Sequence, residues 1–205
     1  MITKKQLAIV LSKLKNFEKP KLLLEQYATN SEIASEILWN AYMNNEIQNK
    51  TVADLGSGTG ILGIGALILG AKEAYFVEIN KEALEISKEN LKRVKKEIKI
   101  KGKSHFFNED VSKFNKKIDL VIENPPFGTK NEHADKKFLE KAFSISNNIY
   151  SFHKTTSKKF IEAISKDYNF KIKNVWNYNF PLKSTYNFHK KRIQRIEVSC
   201  WKLER

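Results

Sequence analysis

Residues 51–70 leave this chain few choices of fold. Thr51-Val52-Ala53-Asp54-Leu55 is a short apolar run with the make-up of a buried strand. Gly56-Ser57-Gly58-Thr59-Gly60 follows directly, then an apolar helical stretch from Ile61 to Leu69 that Gly70 ends. Strand, glycine turn and helix in that order open a nucleotide-binding α/β domain. A literal Gly-x-Gly-x-x-Gly runs from Gly58 to Gly63, so a nicotinamide dinucleotide has to be weighed. Two features argue against it. Asp54 is a poor neighbour for a pyrophosphate, and the third glycine position counted from Gly56 holds Ile61. A ligand with an ammonium group suits Asp54 better. S-adenosylmethionine carries an ammonium and a sulfonium and no phosphate.

A second turn carries the chemistry. Ile118-Asp119-Leu120-Val121-Ile122 reads as another buried strand, and Glu123-Asn124-Pro125-Pro126-Phe127-Gly128-Thr129-Lys130 follows it. The prolines end the strand, because neither can donate a ladder hydrogen bond. Asn124 precedes a proline and is pushed out of the helical region. The predicted result is a rigid turn at the carboxyl end of a central strand, where open α/β sheets bind ligands. An amine conjugated to a ring is a poor nucleophile, because its lone pair is delocalised. Two acceptors can hold its N–H bonds, and a flat surface can hold its ring. The Asn124 side-chain oxygen and the Pro125 carbonyl are the candidate acceptors, and Phe127 is the surface. Held this way, the nitrogen can direct its lone pair at an electrophile.

The rest of the chain fits around these two turns. Leu7, Val10, Leu11 and Leu14 have helical spacing and predict an amphipathic helix over residues 3–17. Thr29 with Glu32 predicts a capping box for a helix to about Tyr42. Gln26, Tyr27 and Thr29 precede that helix, where a loop can close over a ligand. Ala74 to Glu78 reads as the second strand, and Glu78 is placed to accept from ribose hydroxyls. Asn80 caps a helix from Glu82 to about Lys96, and residues 103–108 form a third strand. Asp110 and Val111 follow it, an acceptor for an adenine amino group and an apolar contact for its ring. An N-cap is the alternative role for Asp110. Residues 134–147 read as a helix, 148–153 as a strand and 155–167 as a helix, before two alternating strands over 170–180 and 193–203. Between these last two lies a basic, aromatic loop suited to bases and phosphates. It includes Phe188, His189, Lys190, Lys191 and Arg192.

Composition bounds the partners. A net charge of +14 and an isoelectric point near 9.6 favour a polyanion. A single cysteine and four histidines without ligand spacing give no metal site. No run is long enough for a signal peptide or membrane span, so a cytoplasmic protein without a membrane partner is expected.

With these residues in hand, the chain resembles the methyltransferase-like protein 5 family of RNA N6-adenine methyltransferases. The resemblance rests on Leu24-Glu25-Gln26-Tyr27, on 54–60, on Asn124 to Lys130, and on Phe188 to Lys191. It covers nearly all of the chain after about residue 20, so the helix before that point has no assigned role. The resemblance implies a Rossmann-like class I fold, a seven-stranded mostly parallel sheet with an antiparallel last strand and helices on both faces. The length of 205 residues suits one domain over 1–205, with 1–46 a helical extension and cofactor lid and 47–205 the catalytic core. Family cofactor positions fall on Gln26, Thr29, Gly56, Thr59, Ile61, Glu78, Asp110 and Val111. Tyr27, Asp54, Gly60, Ile79 and Asn124 complete the expected S-adenosylmethionine set. Asn124, Pro125, Pro126 and Phe127 match the catalytic turn, and Lys130 with residues 188–192 is the expected RNA contact. Glu78 is longer than the Asp often found there. The implied substrate is an adenosine in small-subunit ribosomal RNA, and the implied partner a small zinc-binding activator on the edge of the third strand. Methylation of a protein glutamine or of DNA adenine by the same turn is the nearest rival. A non-catalytic RNA-binding subunit is the other, and the intact Asp54 and Asn124 argue against it.

Overall fold

The computed structural model describes residues 2–17, 29–126, 134–182 and 194–205. Seven strands form one sheet in the order β3-β2-β1-β4-β5-β7-β6. They are β1 Thr51–Leu55, β2 Glu73–Val77, β3 Lys103–Phe107, β4 Leu120–Glu123, β5 Asn148–Lys154, β6 Lys171–Leu182 and β7 Gln194–Glu204. Strands β1 to β5 pair in parallel, and β7 runs antiparallel between β5 and β6. This is the expected class I sheet. The strand order reverses at β1/β4, so the carboxyl ends of these two strands flank the crevice.

The helices are α1 Lys4–Ser12, α2 Ser31–Met43, α3 Ile61–Ile68, α4 Lys81–Glu97, α5 Ala134–Ile145 and α6 Lys158–Asp167. Alternation along the strands sends side chains to two cores. Val52, Leu120, Ile122 and Phe152 meet α1 to α4 on one face, while Ala53, Leu55, Val121 and Ile149 meet α5 and α6 on the other. Leu7 and Leu11 of α1 are buried in the first core with Ile37 and Leu38 of α2, so the first helix is part of the fold.

Several expected boundaries move, for local reasons. The first helix ends at Ser12, not near residue 17, because the Lys15 backbone turns away to Asn90. The cap of α2 is Asn30, not Thr29. The Asn30 side-chain oxygen accepts from the Glu32 and Ile33 amides at 2.8 and 3.4 Å, which leaves the Thr29 hydroxyl for another partner. The helix expected from Thr155 opens with a 3-10 turn, Thr155–Ser157, before α6.

Candidate active site

The first wall of the crevice is the glycine turn after β1. Gly56, Gly58 and Gly60 have φ of 68°, 52° and 87°, a left-handed run that other residues adopt at a steric cost. Asp54 is 2% exposed, and its carboxylate accepts from the Gly63 amide at 2.8 Å. Burial pushes its carboxyl up to about 7 against that hydrogen bond. The expected partner of a ligand ammonium is thus also the brace that ties the turn to α3. Glu78, just past β2, accepts from the Gly58 amide on one oxygen and from the Asn80 amide on the other, both at 2.8 Å. Burial raises its carboxyl. The Ile79 amide bears on the same carboxylate, which keeps acceptor capacity for a ribose hydroxyl.

A clamp from the chain's start fixes this turn from outside. Asn90 of α4, fully buried, donates to the Lys15 and Thr59 carbonyls at 3.0 Å and accepts from the Lys15 amide at 2.8 Å. The Phe17 ring lies 3.1 Å from where a Cβ on Gly58 would stand. Neither Asn90 nor Phe17 signals a site by sequence, because an Asn within a polar helix and an isolated Phe fit many roles.

Where an adenine contact is expected, Asp110 instead takes its alternative role and caps a 3-10 turn, Val111–Lys113, binding Ser112 through both the amide and the hydroxyl. Its other oxygen accepts from the Lys137 ammonium of α5 at 2.6 Å. Burial works to raise this carboxyl, but the bonds from Lys137 and Ser112 outweigh it and hold it at about 2. Val111 is buried, and Ile79 is 58% exposed, an apolar side chain free to cover a ring. The Asn108 amide donates to the carbonyls of Glu78 and Ile79 at 3.0 Å and fixes this rim.

The second wall is the turn after β4. The Asn124 amide nitrogen donates to the Thr29 hydroxyl at 2.9 Å, while its side-chain oxygen is buried without a partner. An unpaired buried acceptor is costly and points to a ligand that supplies the donor. Sequence reasoning also missed a polar chain beneath the turn. Glu123 is fully buried, with Oε1 2.7 Å from the Ser151 hydroxyl, which lies 2.7 Å from His153 Nε2. The signal was a glutamate ending an otherwise apolar strand, with Ser151 and His153 alternating onto one side of the next. Among the expected residues, Gln26, Tyr27, Phe127, Lys130 and 188–192 lie outside the described ones. The remaining expected residues lie at or just after the carboxyl ends of the parallel strands β1, β2, β3 and β4, and Thr29 joins them through its bond to Asn124.

Asp54 and Glu78 stand at these strand ends, which disfavours a phosphate and fits a ligand with a positive charge and a ribose. No group of three or more metal-ligating side chains occurs among the described residues. The fold and site define a class I methyltransferase that uses S-adenosylmethionine. The methyltransferase small domain family matches residues 28–148. The magnesium protoporphyrin IX methyltransferase of Synechocystis PCC 6803, solved with S-adenosylmethionine bound, shares the fold at a TM-score of 0.67 and 15% identity. That likeness covers 85% of this chain and 78% of the other. PH1948 of Pyrococcus horikoshii, a candidate RNA methyltransferase, is 46% identical with a TM-score of 0.88, over 100% of this chain and 98% of its own. The Danio rerio rRNA N(6)-adenosine-methyltransferase METTL5 is 37% identical over 95% of each chain. The chain belongs to the METTL5 family.

Proposed function

We propose that this protein methylates N6 of an adenosine in structured RNA, and that the RNA is small-subunit ribosomal RNA. The observation that carries the reading is the buried, unpartnered oxygen of Asn124 beside Pro125, with the amide nitrogen already held by Thr29. That arrangement selects a ligand with N–H bonds. S-adenosylmethionine supplies the methyl group. Asn124 and the Pro125 carbonyl accept the two N6 hydrogens and orient the lone pair, in line with the donor. Phe127 stacks the base, which has to leave its helix to reach the turn. Asp54 and Glu78 hold the ammonium and ribose ends of the cofactor, with Gly56, Thr59, Gly60 and Ile61 as their turn. Ile79, Asp110 and Val111 hold the adenine. Residues 1–46 are a helical extension and lid, and 47–205 the catalytic core. Lys130 and residues 188–192 take the RNA phosphates.

Among the described residues, strand β3 ends the sheet and pairs with β2 alone. Phe106 stacks on Phe76 on one face and Phe107 packs edge-on to Phe114 on the other, so both half-buried rings already pack against the cores. The free resource is the backbone edge. A small zinc-binding activator that adds a strand there is the partner reading. No helix among the described residues is long and apolar enough to cross a membrane.

Incubation with unmodified ribosomal RNA and labelled cofactor, followed by nucleoside mass spectrometry, tests the reading. N6-methyladenosine is expected. Label in a peptide glutamine or in DNA instead would overturn it.

A further inference from the structure

Glu123, Ser151 and His153 are buried polar groups to which the reaction above gives no part. They occupy the ends of β4 and β5, and they face α5 rather than the cofactor. Glu123 immediately precedes Asn124. The Ser151 hydroxyl lies between Glu123 Oε1 and His153 Nε2, 2.7 Å from each. His153 Nδ1 faces Asp135 Oδ2 of α5 at 3.9 Å and has no hydrogen bond. Glu123, Ser151 and His153 are all at most 1% exposed.

Burial keeps the imidazole neutral, and two proton arrangements then fit these distances, which are not equivalent. In the first, Ser151 donates to an ionised Glu123. His153 must then donate from Nε2, and its Nδ1 lone pair faces the Asp135 carboxylate, acceptor against acceptor. In the second, a protonated Glu123 donates to Ser151, and Ser151 donates to His153 Nε2. The imidazole then carries its hydrogen on Nδ1, toward Asp135. Every facing pair is now donor to acceptor, and no charge is left on the fully buried Glu123.

We propose that Glu123, Ser151 and His153 are positioning residues, a directed hydrogen-bond chain from protonated Glu123 toward Asp135 that locks the Asn-Pro-Pro turn in its reactive geometry. The inference rests on the methyl-transfer reading above. Burial holds Glu123 up to about 8 and His153 down to about 3, in keeping with a neutral chain. The groups that bear on Glu123 among the described residues are Asp54 of β1, which raises it, Ser151 and His153 of β5, and Asp135 of α5 through His153. When Glu123 ionises, the chain loses its first donor, and a charge appears beneath the turn with one oxygen unpaired. The turn then shifts, and the chemical step slows as pH rises, while cofactor and RNA contacts made elsewhere persist.

The experiment compares wild type, Glu123→Gln and Ser151→Ala. A glutamine amide can donate to Ser151 at every pH. Single-turnover methylation by the wild type is expected to fall above about pH 8, in line with a carboxylic acid raised by burial. Glu123→Gln keeps the neutral-pH rate and loses that decline. Ser151→Ala lowers the rate about 10- to 100-fold, the range for a misplaced reacting group, with cofactor and RNA affinity unchanged within about twofold. Nitrogen-15 NMR of the His153 ring, without cofactor or RNA, is expected to show the Nδ1–H tautomer in wild type and Glu123→Gln. An Nε2–H tautomer, a Glu123→Gln profile that follows the wild type, or an unaffected Ser151→Ala enzyme would overturn the proposal. Absence of methylation by the wild type would count against the function and leave the tautomer result to judge the chain.

Discussion

Single atoms decide what the second turn can do. The Asn124 amide nitrogen donates to the Thr29 hydroxyl at 2.9 Å, which leaves the side-chain oxygen for a donor on a ligand. Thr29 belongs to the segment ahead of α2, so its neighbour Asn30 shapes the site by taking the capping role. Thr29→Val removes the partner without changing size. Its expected effect is a fall of about tenfold in single-turnover rate, with cofactor affinity nearly unchanged, in the manner of a group that matters at the transition state. Thr29→Ser restores the hydroxyl and the rate. A Thr29→Val enzyme with a wild-type rate and raised cofactor Kd would return Thr29 to a plain cofactor contact. Asp54→Ala removes both the acceptor for the Gly63 amide and the proposed partner of the ligand ammonium. Calorimetry is expected to show cofactor binding weakened by about 2 kcal/mol or more.

At the level of elements, the glycine turn depends on a helix far from it in sequence. Asn90 ties the end of the first segment to the Thr59 carbonyl, and Phe17 covers Gly58. Asn90→Ala leaves the Lys15 amide and two carbonyls short of partners, an expected loss of about 2 kcal/mol or more in denaturant unfolding. Weaker cofactor binding is expected with it. An unchanged midpoint would show that water replaces the clamp. This element was not legible in the sequence, because it joins Lys15 to Asn90 through backbone groups that carry no residue signature. What was legible is local. The run 51–60, the Asn-Pro-Pro turn and the Asn80 cap each combine a strand or helix pattern with a residue that forces the backbone. The alternation of strands and helices and the closing hairpin were legible too, while the order β3-β2-β1-β4-β5-β7-β6 is set by pairing between distant strands. The Thr29 capping box failed because Asn30, one residue on, is an equally good cap and is better placed. Glu123, Ser151 and His153 escaped because each alone reads as an ordinary strand residue, and only the pairing of β4 with β5 joins them.

Over the whole molecule, charge and burial set two measurable responses. The first is salt. With a net charge of +14, RNA affinity is expected to fall steeply with ionic strength. Lys190→Ala and Lys191→Ala each reduce that slope by about 1 and spare the rate of bound RNA. The second is pH. Glu123 moves from 4.5 to about 8 on folding and Asp54 from 3.8 to about 7. Raised carboxyls contribute stability that is full below the unfolded value and is lost as pH rises toward the folded one. His153 moves from 6.5 to about 3, so its contribution is full above 6.5 and is lost as pH falls. These effects oppose each other below pH 6.5. Between 6.5 and 8 only the carboxyls act, and the denaturant midpoint is expected to decline. A midpoint that rises through that window would contradict the buried neutral carboxyls.

The central claim is that Asn124 acts in the transfer itself and not in holding the RNA. Its side-chain oxygen is the unpaired acceptor, while affinity comes mainly from phosphate contacts. The direct test is the single-turnover rate of Asn124→Ala at saturating RNA and cofactor, measured beside the equilibrium affinity for each. The account predicts a loss of about 100-fold or more in rate, as for removal of a preorganised polar group, with both affinities within a few-fold of wild type. An Asn124→Ala enzyme that methylates bound RNA at the wild-type rate would contradict it.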